Sequence, residues 1–72
     1  MNTENFVLAA ELAALAADEE EAIQGYYAIM PKIMDKADQD TLKEIISDEK
    51  NHAMLLQKMM LKYDSNIAMA ED

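Results

Sequence analysis

A carboxylate and an imidazole interrupt an apolar helical repeat in the second half of this chain. Glu49 and His52 form a Glu-x-x-His pair within a row of residues spaced alternately three and four apart. Such spacing is typical of one face of an α-helix that packs against a core. A charge buried in that face costs several kcal/mol unless it is paired or binds a metal. The complete row is Leu42, Ile45, Glu49, His52, Leu56, Met59 and Tyr63.

The first half of the chain has a matching row with one carboxylate, Glu19, at its centre. Two amphipathic helices are therefore predicted, and their apolar faces together carry three metal-type ligands. We expect a metal site inside a helix bundle, because three such groups in a core need a partner of opposite charge. The apolar members of the first row are Leu8, Leu12, Leu15, Ala22, Tyr26, Ile29 and Ile33.

Helix start and stop signals divide the chain into two helices of one all-α domain. Pro31 should end the first helix, because it has no N–H to donate to the preceding turn. Thr41 with Glu44 matches a capping box that would start the second helix, and Asp38 or Asp40 is a competing cap. The predicted elements are a first helix over about residues 4–30, a linker over about 31–40, a second helix over about 41–63 and a frayed tail over 64–72.

Length and composition bound the class of protein. With 72 residues, two helices alone cannot enclose a core. We therefore expect an antiparallel hairpin that forms a homodimer or higher homo-oligomer, giving a four-helix bundle. The net charge of −9 disfavours nucleic acid and anionic membranes as partners. The chain has no cysteine, and its first apolar stretch, residues 6–17, has no basic residue before it, so we expect a cytoplasmic protein.

The ligand count favours a site shared by two chains. Residues three apart lie on one helical face, so Glu49 and His52 can bind one ion together. A di-iron carboxylate site in a four-helix bundle takes one Glu from each of two helices and a Glu-x-x-His pair from each of the other two. One copy of this chain supplies half of that set. Carboxylate and imidazole ligands favour iron, with manganese or zinc possible, over copper.

The residues around these ligands resemble a known family. The segments Glu19-Glu20-Glu21-Ala22-Ile23-Gln24-Gly25-Tyr26 and Glu49-Lys50-Asn51-His52 resemble the ferritin-like superfamily. The similarity, over roughly residues 8–62, is greatest to its short two-helix members, the encapsulated ferritins and rubrerythrin-like half-bundles. The resemblance implies ferroxidase-type activity, with Glu19, Glu49 and His52 as catalytic iron ligands and Tyr26 packed beside them.

Two departures limit what the resemblance implies. Rubrerythrins proper carry a cysteine-rich electron-transfer module, and this chain has no cysteine. Encapsulated ferritins usually end in a segment that docks to a shell protein, and residues 67–72 do not resemble one. Shell-protein docking is therefore not supported by the C-terminal tail.

Several alternatives remain open at this level. Glu20 has the same spacing to Tyr27 that Glu19 has to Tyr26, so Glu20 is an alternative first-helix ligand. Asp48 either accepts a hydrogen bond from the His52 ring or is an exposed acid. The whole chain is alternatively a non-catalytic helical interaction module, or a dimer that binds manganese or zinc without turnover.

Overall fold

The chain folds into an antiparallel helical hairpin. A computed structural model describes residues 3–64. Helix α1 (Thr3–Ile29) and helix α2 (Lys36–Tyr63) are joined by a 3₁₀ turn (Met30–Lys32) and three residues without helical structure. No strand occurs within the described range. The predicted all-α hairpin is confirmed, whereas residues 65–72 of the predicted tail lie outside the described residues.

The first helix ends where proline requires it to end. α1 stops at Ile29, and Pro31 occupies the start of the 3₁₀ turn, where its missing N–H breaks no α-helical hydrogen bond. The N–H of Ile33 donates to the carbonyl of Met30 at 3.1 Å and closes the turn. Ile33 itself has an extended backbone, which redirects the chain toward α2.

The second helix begins five residues earlier than predicted. Its N-cap is Asp35, whose carboxylate accepts a hydrogen bond from the N–H of Ala37 at 3.3 Å. Thr41 is not a cap, because its hydroxyl donates to the carbonyl of Ala37 at 3.0 Å one turn back inside the helix. The predicted linker over about 31–40 was therefore too long: its last five residues, including Asp38 and Asp40, belong to α2.

The helix faces that meet inside the hairpin differ by one position from the predicted rows. Leu12, Glu19, Leu42 and Glu49 belong to both patterns, whereas the other buried residues lie one position further along each helix. Each helix carries an apolar stripe wider than a single neighbouring helix can cover, so part of the predicted row stays uncovered. The buried residues are Ala9, Leu12, Ala16 and Ile23 of α1 with Leu42, Ile46 and Ala53 of α2. The exposed members of the predicted rows are Leu8, Leu15, Ile29, Ile45 and Met59.

The hairpin has two distinct long sides. On the first, here called the groove side, Glu20 contacts Gln57 and Lys50 lies over the ring of Tyr27. The opposite flanks of the two helices form the second, here called the imidazole side, because His52 belongs to it. Residues seven apart share a helical face, so exposed rows of that spacing run along this side on both helices. These rows are Leu8, Leu15 and Ile29 on α1 and Ile45, His52 and Met59 on α2.

Candidate metal centre

The hairpin brings Glu19, Glu49 and His52 together. Each offers one ligand atom, and these three atoms all lie within 4.8 Å of one another. Two ligands of one ion, each about 2.1 Å from it, are at most about 4.2 Å apart. Three ligands spread evenly around one ion are closer, about 3.6 Å apart, so a contraction of up to about 1.2 Å would let the three atoms share one ion.

The three side chains differ in their exposure to solvent. Glu19 is the more enclosed carboxylate, with 28% of its side chain exposed, and Glu49 is also half-buried. The His52 side chain is 55% exposed. The carboxylates thus lie at the more buried end of the cluster, between the helices, and the imidazole lies at its exposed end on the imidazole side.

One atom of the cluster lacks a hydrogen-bond partner. Oε2 of Glu19 is buried, and no described residue donates a hydrogen bond to it. Nδ1 of His52 is 3.9 Å from this oxygen, which is too far for a hydrogen bond. A buried carboxylate oxygen without a partner is costly, and a bound cation supplies the missing interaction. An unpartnered carboxylate oxygen beside a second carboxylate and an imidazole is a donor set of the kind that binds a metal ion.

Glu19 perturbs the neighbouring carboxyl of Glu49. A hydrogen bond with Glu19 raises the pKa of the Glu49 carboxyl above its ordinary value, because that bond favours the protonated form. Partial burial and repulsion from the charge on Glu19 raise the pKa further, whereas His52 opposes the shift. Glu49 therefore releases its proton at a higher pH than an isolated glutamate does, and a metal ion bound there would compete with that proton.

The alternative ligand Glu20 lies elsewhere. Its Oε1 accepts a hydrogen bond from Nε2 of Gln57 at 2.9 Å on the groove side. Glu20 also lines a groove of about 280 Å³ with Gln57 and alanines of α1. It is outside the cluster that Glu19 forms with the Glu-x-x-His pair.

Two residues expected beside the ligands have other surroundings. Tyr26 is half-buried and packs against the apolar cluster of Ile23, Leu42 and Ile46, toward the turn end of the hairpin. Asp48 is exposed and makes no hydrogen bond to His52 in the part of the chain that the structure describes. Its charge acts on the cluster at longer range, where it helps to raise the pKa of Glu49.

Sequence reasoning missed the contacts across the groove side. Gln57 bonds to Glu20, and Nζ of Lys50 lies 5.4 Å from the centre of the Tyr27 ring. A signal for both was present, because Glu20 and Tyr27 are seven residues apart on α1, as Lys50 and Gln57 are on α2. Two pairs with this spacing predict two parallel bridges on one side of an antiparallel hairpin.

Neither described helix carries an uninterrupted apolar stretch of the length that crossing a bilayer requires. No family model matches the chain, and comparison with curated proteins and with solved structures finds no similar protein. The functional argument therefore rests on the geometry and chemistry of the three-residue cluster.

Proposed function

We propose that the chain binds a divalent metal ion through Glu19, Glu49 and His52, and that two copies together oxidise Fe(II). The observation that carries the proposal is the convergence of two carboxylates and one imidazole within 4.8 Å in the middle of an apolar hairpin. Each Fe(II) gives up one electron. O₂ accepts two electrons and two protons to become H₂O₂, or peroxide accepts them to become water.

The protein's own groups account for binding and for the direction of the reaction. Carboxylate oxygens hold hard cations, and two of them compensate most of the charge of Fe(II). The same negative charge favours the higher oxidation state, because attraction grows with the charge of the ion. Glu49 must lose its proton to bind iron, so binding weakens as the pH falls through the raised pKa of Glu49.

A second copy completes the ligand set. One hairpin supplies two carboxylates and one imidazole, which is half of a di-iron carboxylate site. The imidazole side is apolar around His52, with Leu15 52% and Met59 46% exposed in the single chain. Pairing two copies through this side would cover these residues and bring the two half-sites face to face. The product is a four-helix bundle with two ions between the chains.

The test is to count the metal and then to measure electron transfer. Metal-free protein is loaded with Fe(II) under anaerobic conditions, and about one iron per chain is expected from the ligand count. Oxygen is then admitted, and Fe(III) absorbance and oxygen consumption are recorded. Oxidation much faster than in buffer alone supports the proposal. A chain that stays metal-free in excess Fe(II), or that oxidises iron no faster than buffer, contradicts it.

The approach of His52 to Glu19 across the helices favours a second candidate of a different class. Nδ1 of His52 lies 3.9 Å from Oε2 of Glu19, as it would in a polar network that only fixes how helices pair. In that case the chain is an interaction module, or a dimer that holds Mn(II) or Zn(II) without turnover. Elemental analysis separates the interaction module from both metal proteins. Oxygen consumption with Fe(II) separates a ferroxidase from a site that only binds.

A further inference from the structure

We propose that Glu20 and Gln57 form an interhelical clasp that positions Glu19 against Glu49 and His52. The inference rests on the proposed metal binding by those three residues. It assigns a role to Glu20 and Gln57 that is separate from ligation: both are positioning residues. Their contact is a hydrogen bond of 2.9 Å from Nε2 of Gln57 on α2 to Oε1 of Glu20 on α1.

The packing beside the cluster leaves the position of the helices weakly determined. On the turn side, Ile23, Leu42 and Ile46 interlock with Tyr26 and Met30. Directly beyond the cluster, the buried contact is made by Ala16, which is 2% exposed, and Ala53, which is 6% exposed, and the buried Leu12 lies one turn further from the connection. Alanine side chains have little depth to interdigitate, so they resist sliding or splaying of the helices less than leucine or isoleucine does. A polar pair can supply the specificity that such a contact lacks.

The clasp lies beyond the cluster, beside the alanine contact that specifies the helix positions only weakly. Gln57 follows His52 by five residues, so it is farther from the connecting turn than the cluster is. Glu20 directly follows Glu19, so a shift of the Glu20 backbone moves the Glu19 carboxylate with it. The apolar residues near the turn hold one end of the cluster, and the clasp holds the other.

A second contact repeats the clasp one heptad nearer the turn. Lys50 lies over the ring of Tyr27 at 5.4 Å, and these residues are each seven positions from Gln57 and Glu20. Both bridges are on the groove side, and on α2 they flank His52 in sequence. The ligands therefore open on one side of the hairpin, and the bridges join its helices on the other.

The decisive variant is Gln57→Leu, which removes the hydrogen bond without changing the net charge. Leucine is a good helix former and can pack against Met60 and Leu61, which line the same groove. The melting temperature of the metal-free chain should therefore be kept or raised. The Zn(II) affinity, measured by titration calorimetry, should fall about threefold to tenfold, as expected for one solvent-exposed hydrogen bond.

Two controls separate positioning from general stability. Asp35→Ala removes the N-cap of α2 and should lower the melting temperature while leaving the Zn(II) affinity within about twofold. The exchange Glu20→Gln with Gln57→Glu restores a donor–acceptor pair and the total charge, so it should recover the affinity lost in Gln57→Leu. Equal Zn(II) affinity in Gln57→Leu and the original chain overturns the clasp, as does failure of the exchange to restore it.

A metal-independent measurement tests the clasp even if the chain binds no metal. Spin labels are attached through Ala14→Cys and Lys58→Cys, both exposed and on different helices. Labelled chain is diluted with unlabelled chain, and the distance distribution is measured by pulsed electron resonance without metal. Gln57→Leu should broaden the distribution, and the exchange should narrow it again. An unchanged distribution refutes the clasp, whereas absence of Zn(II) binding by the original chain refutes the proposed function.

Discussion

Nδ1 of His52 lies 3.9 Å from Oε2 of Glu19, on the other helix of the hairpin. The carboxylate oxygen is buried and receives no hydrogen bond from any described residue, whereas more than half of the imidazole side chain is exposed. The separation is too long for a direct hydrogen bond. It leaves room for an atom that both groups can bind.

Removing one ligand should abolish rapid Fe(II) oxidation without unfolding the hairpin. In His52→Ala and in Glu49→Ala, metal affinity should fall by about 100-fold or more, because loss of a ligand costs more than loss of a group that only orients one. Circular dichroism should show that helicity is retained, since neither side chain belongs to the buried apolar core. Glu21→Ala is the matched control, because Glu21 is exposed and outside the cluster. If Glu21→Ala lost as much activity as Glu49→Ala, the assignment of the site would be wrong.

The stability of the metal-free chain should depend on the protonation of Glu49. Its pKa is higher in the folded chain than the ordinary value of 4.5, so the folded state favours the protonated form. The resulting stabilisation is present below the ordinary pKa and is lost as pH rises through the raised one. Glu49→Gln should therefore flatten the fall in melting temperature above pH 4.5. Glu21→Gln removes one charge at an exposed position and should leave most of the fall in place.

Metal should promote pairing through the imidazole side. Fe(II), Mn(II) or Zn(II) relieves repulsion among the carboxylates, so sedimentation velocity should show a shift to dimer or a higher oligomer when metal is added. Leu15→Glu should block that shift by placing a charge in the paired face. Met34→Glu is the control, because Met34 is 88% exposed in the connection between the helices. A chain that remains monomeric with metal and still oxidises Fe(II) would refute a site shared between copies.

The revised start of α2 predicts a different effect for each of two substitutions. Asp35→Ala removes the N-cap and should lower the free energy of unfolding by about 1 kcal/mol. Thr41→Ala removes a hydroxyl that bonds back to Ala37 inside the helix, and it should change stability by less than about 0.5 kcal/mol. Urea denaturation monitored by circular dichroism measures both. A larger loss in Thr41→Ala than in Asp35→Ala would restore the later helix start.

Gly25 offers a test of what covers the outer surface of α1. A Cβ added to Gly25 meets no atom within 4 Å, so Gly25→Ala introduces no clash in the single chain. The substitution should stabilise the helix by about 1 kcal/mol, because alanine is the better helix former. Urea denaturation of the metal-free chain should show the gain. A loss that appears only when metal drives association would show that another chain packs closely against Gly25.

The sequence predicted which three side chains lie together better than it predicted the packing around them. Glu19, Glu49 and His52 could be selected because each interrupts an apolar repeat, and this signal depends only on neighbours along one helix. Which flank of the repeat becomes buried depends on where the other helix lies, and spacing along one helix does not contain that information. For this reason Leu15 and Ile45 were placed in the core although they are exposed.

The predicted start of α2 was wrong for a similar reason, but a second difference offset its effect on the levels of Glu19 and Glu49. Thr41 and Glu44 match a capping box, but Asp35 caps the helix first, and α2 gains more than a turn of length. The 3₁₀ turn adds length to the arm of the hairpin that contains α1. From Glu19 to the end of that turn, and from Asp35 to Glu49, the rise is about 21 Å on each side. The two carboxylates therefore still lie at the same level.

The exposure of His52 on the imidazole side determines the order of metal binding and dimerisation under the proposed pairing. In the single hairpin, a cation reaches the carboxylates past an imidazole in contact with water. Once a second copy covers that side, the partner blocks the path from solvent to the carboxylates. Metal binding would then precede dimerisation, and the ion could leave only after the two copies dissociate. The lifetime of the bound metal would be governed by the dissociation rate of the pair rather than by the strength of any one ligand.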